Sequence, residues 1–160
     1  MKIWLAVESL ENQLADKRNS FRFLGIAASR VSRARDVKAG DVVFIYVPTP
    51  VRAFADIRIV EKDGLGRTNH VMNYDIPCSS GIFTKPLVPI ERQHWLPLAI
   101  AKEHLSFGHR QASGMRNSFR EILLSDARTL LRSFGLAYPD LKLDAAERVL
   151  LQSKPTPTRN

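Results

Sequence analysis

An α+β fold is what this sequence predicts, with a strongly curved, mostly antiparallel sheet closed into a barrel and helices packed outside it. Three observations carry that prediction. Short apolar runs separated by turn residues fill the stretch 2–90. Two amphipathic patterns follow, one after Ser125 and one over Leu141 to Leu151. The segment Val37-Lys-Ala-Gly-Asp-Val-Val-Phe-Ile-Tyr46 joins a Gly-Asp turn directly to an apolar strand. Strands that come first and helices that come after favour a sheet with the helices on its outside.

The elements read in order as follows. Residues 2–8 alternate, with Ile3, Leu5 and Val7 on one face and Trp4 and Ala6 on the other, as a strand requires. Ser9 to Lys17 form a short helix, with Ser9 as N-cap and Leu10 and Leu14 one turn apart on its apolar face. Phe21 to Ile26 is an apolar segment broken by Gly25, and Ala27 to Asp36 a short basic helix. Gly40 takes a positive φ without steric strain, so Lys38 to Asp41 is a tight turn, and strands follow at 42–47 and 52–61. After a turn at Asp63 to Arg67 come strands at 69–79 and 81–90. Pro86 and Pro89 place the last of these at a sheet edge or a bulge. Trp95 to Leu105 begins a more helical region. Ser125 caps a helix carrying Ala127, Leu130, Leu131 and Phe134, and Gly135 stops it. Pro139-Asp140 leads into the last helix. One domain over 1–152 and a disordered tail over 153–160 are expected.

Composition narrows the function classes. No apolar run approaches the roughly 20 residues of a bilayer span, and the first strand turns acidic at Glu8, unlike a signal peptide. Cys78 stands alone, which excludes an internal disulfide and a multi-cysteine zinc site and points to a reducing, cytoplasmic setting. The net charge of +8 is the strongest compositional fact. It raises the local concentration of polyanions, and nucleic acid is the usual polyanion for a small basic domain. The four histidines lack metal-ligand spacing, Cys78 has no histidine near it, and Gly64-Leu-Gly66 lacks the Gly-Lys-Ser/Thr of a phosphate loop. No metal, cofactor or catalytic motif is expected.

Taken in order, Ile3-Trp4-Leu5, Leu24-Gly25-Ile26, a basic stretch, Val37-Lys38-x-Gly40-Asp41, Phe44-x-Tyr46, Phe119-Arg120-Glu121-Ile122 and the helix with Leu130 and Leu131 form a pattern over residues 2–134. This pattern resembles the EVE domain of the PUA-like superfamily, which is similar in fold to YTH and ASCH domains. The resemblance implies a PUA-like barrel that binds DNA or RNA and holds one modified base in a pocket at the barrel mouth. That base is typically a modified cytosine in EVE domains and N6-methyladenine in YTH domains. Where the family usually has Trp this chain has Leu24, which leaves Phe23, Trp4 or Tyr46 to supply a stacking face.

The pocket expected from this is built by Trp4, Ser9, Phe23, Leu24, Gly25, Tyr46 and Phe119. A flat aromatic face stacks on a base for about 1–3 kcal/mol. Trp4 fits that role and a core role equally; for Tyr46 the core role is the stronger. Arg30, Arg33, Arg35 and Lys38 form one basic stretch that suits phosphates, with Arg30 and Arg33 on one helical face and Arg35 to its side. A merely solvated basic face explains the same residues. Arg110, Arg116 and Arg120 form a second basic stretch, in a loop that Gly108 and Gly114 make pliable. Two other function classes stand beside the base reader. An ASCH-like hydrolase of modified nucleosides needs a general base, and Glu8 and Lys17 lie near the expected pocket in sequence with nothing to pair them. An RNA-binding protein held by charge alone needs no pocket, and salt then weakens it without regard to base modification.

Overall fold

The computed structural model describes residues 1–67, 80–108 and 119–152. Its layering follows from the alternation along β1 (Ile3–Val7). Ile3 and Leu5 enter one hydrophobic cluster, Trp4 and Ala6 a second on the opposite face of the sheet. The other strands are β2 (Phe23–Gly25), β3 (Val42–Val47), β4 (Ala53–Val60), β5 (Gly66–Arg67), β6 (Ser80–Val88), β7 (Leu96–Pro97) and β8 (Phe119–Glu121). The α-helices are α1 (Leu10–Arg18), α2 (Val31–Ala34), α3 (Leu98–Ala101), α4 (Leu124–Ala137) and α5 (Asp144–Leu151).

The strands run in the order β2-β6-β4-β3-β1-β8, with β5 on β6 and β7 on β4. β1 and β3 are parallel and the other pairs antiparallel. The sheet curls into a half-barrel, so its two ends meet through side chains: Leu24 of β2 and Phe119 of β8 share a cluster with Trp4. All six residues of β3, Val-Val-Phe-Ile-Tyr-Val, are buried, because this central strand is covered on both faces. The outer face carries Phe44, Tyr46, Phe54 and Ile57 and packs under Leu98 of α3, Leu130 and Phe134 of α4 and Leu150 of α5. The inner face carries Val43, Ile45, Ile82 and Phe119. The mostly antiparallel, curled sheet with external helices is therefore the architecture observed, in the form of a half-barrel.

Gly40 has φ of +88° and its N–H donates to the Val60 carbonyl at 2.9 Å. Pro86 lies opposite Arg58, where the β4–β6 register shifts, so the proline sits at a bulge. Three local expectations need correction. α1 is capped by the Ser9 hydroxyl, which accepts from the Asn12 N–H, but it buries Gln13, Ala15 and Asp16 and leaves Leu14 exposed. The partner of that face is a buried arginine rather than an apolar surface. α4 begins after Leu123, with Ser125 exposed inside its first turn, and it runs through Gly135 to Ala137. What ties its start is buried Asp126, which accepts from the Ser106 N–H at 2.7 Å and hydroxyl at 2.6 Å. The basic segment after β2 is a single tight turn, Ala28–Arg30, followed by the one-turn α2. The strand expected at 69–79 and the tail at 153–160 lie outside the described residues, among which no helix is long and apolar enough to cross a membrane.

Candidate nucleic-acid interface

Three elements converge where the half-barrel closes. The end of β1 supplies Ala6, Val7 and the following Glu8; β2 and the turn after it supply Leu24, Gly25, Ile26, Ala27 and Arg30; β8 supplies Phe119. Together they line a cavity of about 20 Å³. That is room for about one water molecule, well below the roughly 300–1,000 Å³ of clefts that take whole small ligands.

Behind the cavity lies an aromatic pair. The rings of Trp4 and Phe119 stack at 5.0 Å between centroids and 13° between planes. The Trp4 indole N–H donates to Asp41 Oδ2 at 2.9 Å, and that carboxylate also accepts from the backbone N–H of Lys2 and of Lys38. The Gly-Asp turn thus fixes Trp4 as well as launching β3. Trp4 is 3 % exposed and lies behind the cavity wall, while Phe119 forms part of the wall.

The remaining expected pocket residues are dispersed. Alternation along β2 turns Phe23 away from Leu24, so its ring packs edge-on to Phe83 at 5.6 Å and against Ala15. Tyr46 belongs to the outer face, where its ring meets Phe54 at 5.2 Å. Burial pushes its phenol above the ordinary value. Ser9 is engaged as the α1 cap. Leu24, Gly25 and Phe119 are the expected residues that the structure brings to the cavity, with Trp4 behind them.

The basic residues divide likewise. Arg30 lines the cavity. Arg33, exposed on α2, reaches the Phe119 carbonyl at 3.5 Å and so lies over the closure. Arg35 is exposed one position beyond α2. Lys38 pairs with Asp63 at 3.6 Å, both well exposed. Arg120 lies over the Phe107 ring at 4.8 Å and lines a larger cleft, of about 480 Å³, with Ser106, Glu121 and Asp126. Arg110 and Arg116 fall outside the described residues.

Sequence reasoning missed a buried ion cluster next to the cavity. Arg58 of β4 is fully buried and donates to Asp56 and Asp16, each at 2.5 Å, to Gln13 at 3.0 Å and to Glu8 at 3.4 Å. Glu8 is therefore paired, and Lys17 is spent elsewhere, on an exposed bridge to Glu91 at 3.1 Å. Burial, reinforced by the charge of Asp16, holds the Glu8 carboxyl well above the carboxylate range despite Arg58. Burial likewise raises Asp56. Burial works against the charge on Arg58, but Asp56, Asp16 and Glu8 outweigh it and keep the guanidinium protonated. The signal was present in the sequence: Asp56 and Arg58 sit two apart in Ala-Phe-Ala-Asp-Ile-Arg-Ile-Val, hence on one face of an otherwise apolar strand.

No family model and no curated protein matches this sequence. Solved structures do match its fold. The YTH domain of Zygosaccharomyces rouxii MRB1, in complex with N6-methyladenosine RNA, aligns at a TM-score of 0.56 and 14 % identity, covering 82 % of this chain and 86 % of that one. Human THYN1, in complex with 5-methylcytosine-containing DNA, aligns at 0.56 and 16 %, covering 84 % and 98 %. A hypothetical protein from Leishmania major aligns at 0.62 and 14 %, covering 86 % and 96 %. This chain shares their fold. The likeness is one of fold, to a YTH domain among others, which is the kind of fold that the ordered motifs imply.

Proposed function

We propose that this protein is a nucleic-acid-binding module that holds a modified base, a modified cytosine or adenine, at the closure of its half-barrel. The observation that carries the reading is the convergence of β1, β2 and β8 on one cavity. An aromatic pair lies behind it and Arg30 and Arg33 lie around it, in a chain of net charge +8. Two proteins of the same fold are held in complexes with a methylated adenine in RNA and a methylated cytosine in DNA. Those bases share an edge: an exocyclic amine that donates beside a ring nitrogen that accepts.

The cavity admits a base only after it widens. Only the fraction of molecules already open binds directly, so apparent affinity falls in proportion to that fraction. Arg33 and Arg35 meet the phosphate backbone, whose charge is the same for every sequence, and supply affinity without reading the base. The test is a titration of wild type, Arg33→Ala and Phe119→Leu at several salt concentrations, against oligonucleotides that differ only in one base modification. Arg33→Ala weakens binding to both members of a pair and makes the salt slope shallower by about one unit. Phe119→Leu keeps the site apolar, leaves the slope alone and erases the preference. A wild type with no preference for any modified cytosine or adenine would leave binding by charge alone.

A further inference from the structure

Among the described residues, Glu8 is the one that belongs both to the cavity lining and to the buried ion cluster behind it. Its side chain is only 4 % exposed. The groups that face it are Asp16 from α1, Asp56 and Arg58 from β4, and Arg30 on the shared cavity. Three carboxylates thus surround one guanidinium, and Asp16 and Asp56 hold its shorter contacts. Glu8 has the longest of the three, which makes it the carboxyl that most readily keeps a proton. Arg58 donates to its Oε2, so the proton belongs on Oε1.

Resting on the reading above, we propose that Glu8 sets base specificity: Oε1–H donates to the ring nitrogen of cytosine or adenine, and Oε2 accepts from the adjacent exocyclic amine. In the free protein Asp16 and Asp56 lie near the Glu8 carboxyl, and burial favours its protonated form. On binding, that proton turns to the base, and Asp16 keeps its bond to Arg58. No proton is gained or lost. Methylation at cytosine C5 leaves both hydrogen bonds intact, and a single methyl on the amine leaves one N–H to donate. Uracil presents the donor and acceptor in reverse order. Guanine offers two adjacent N–H donors, which suit an ionised carboxylate instead.

The experiment measures binding of single-stranded oligonucleotides with one variable position, occupied by 5-methylcytosine, N6-methyladenine, uracil or guanine. Wild type, Glu8→Gln and Glu8→Leu are compared by fluorescence anisotropy between about pH 6 and about pH 9. Wild type is expected to prefer the methylated cytosine or adenine about tenfold or more over uracil and guanine. That preference declines as pH rises and Glu8 ionises. A glutamine side chain keeps one donor and one acceptor, so Glu8→Gln retains the preference and loses its pH dependence. Glu8→Leu binds all four alike, with its salt slope unchanged. If Glu8→Leu fails to fold, the pH profiles of wild type and Glu8→Gln decide. A wild type that discriminates modified bases with no difference from Glu8→Gln in pH profile, or a folded Glu8→Leu that discriminates as well as wild type, overturns the role of Glu8 and leaves the base-binding reading standing. A wild type without any base preference overturns both.

Discussion

Arg58 is the hub of the buried ion cluster. It links β4 to α1 and to the residue that follows β1 through bonds to Asp56, Asp16, Gln13 and Glu8. A buried pair of this kind adds little net stability, but removing one partner leaves a charge unpaired. Its excess of carboxylates has a consequence for pH. Glu8 and Asp56 bind protons more tightly folded than unfolded. Folding therefore takes up protons above their ordinary values of 4.5 and 3.8. Stability falls as pH rises from there through the raised folded values, and it is flat below, where both groups are protonated in either state. Glu8→Gln removes the share of Glu8. We expect its melting temperature to drop less than that of wild type between about pH 5 and about pH 9. Thermal melts across that range check this, and parallel curves would mean that Glu8 titrates normally.

At the scale of elements, the end of α4 departs from what its local sequence predicts. Gly135 carries the usual signature of a helix stop, yet α4 continues two residues past it. A Cβ there would meet Leu143 Cδ1 at 3.5 Å, an ordinary contact, and its backbone has no positive φ. Alanine fits without strain and removes conformational freedom from the unfolded chain. Gly135→Ala is expected to stabilise the protein by about 0.5–1 kcal/mol. Urea unfolding measures it; a loss would mean that α5 has to move away. Gly40 is the opposite case, since its φ of +88° belongs to the turn and a side chain there would be strained.

For the whole molecule, the sheet separates two jobs. Its outer face builds a core with α3, α4 and α5, and its inner face builds the closure where β2 and β8 meet. Tyr46 lies on the outer side with Phe54. Tyr46→Phe is expected to cost at most about 1 kcal/mol in unfolding experiments and to leave oligonucleotide affinity per folded molecule unchanged. A change in base preference in that variant would place Tyr46 in the site after all. The outer face would then not be independent of the closure.

Much of this was legible in the residues alone, for reasons of period. Alternation placed Trp4 and Ala6 opposite Ile3 and Leu5, and the run from Val42 to Val47 announced an apolar strand, which the structure buries on both faces. The Gly-Asp turn and the Ser9 cap act within a few residues, so local chemistry determined them. The net charge of +8 is a sum that needs no structure. Which residues meet across the closure depends on strand order, and only the tertiary structure decided that. Phe23 and Tyr46 are aromatic and lie on strands of the same sheet as the cavity residues, but strand alternation and sheet face carry them elsewhere. The partnership of Glu8, Asp16 and Arg58 spans 42 and 50 residues of chain. A polar α1 face that looks solvated in sequence is buried because β4 supplies a guanidinium to receive it, and no local pattern encodes a partner that distant.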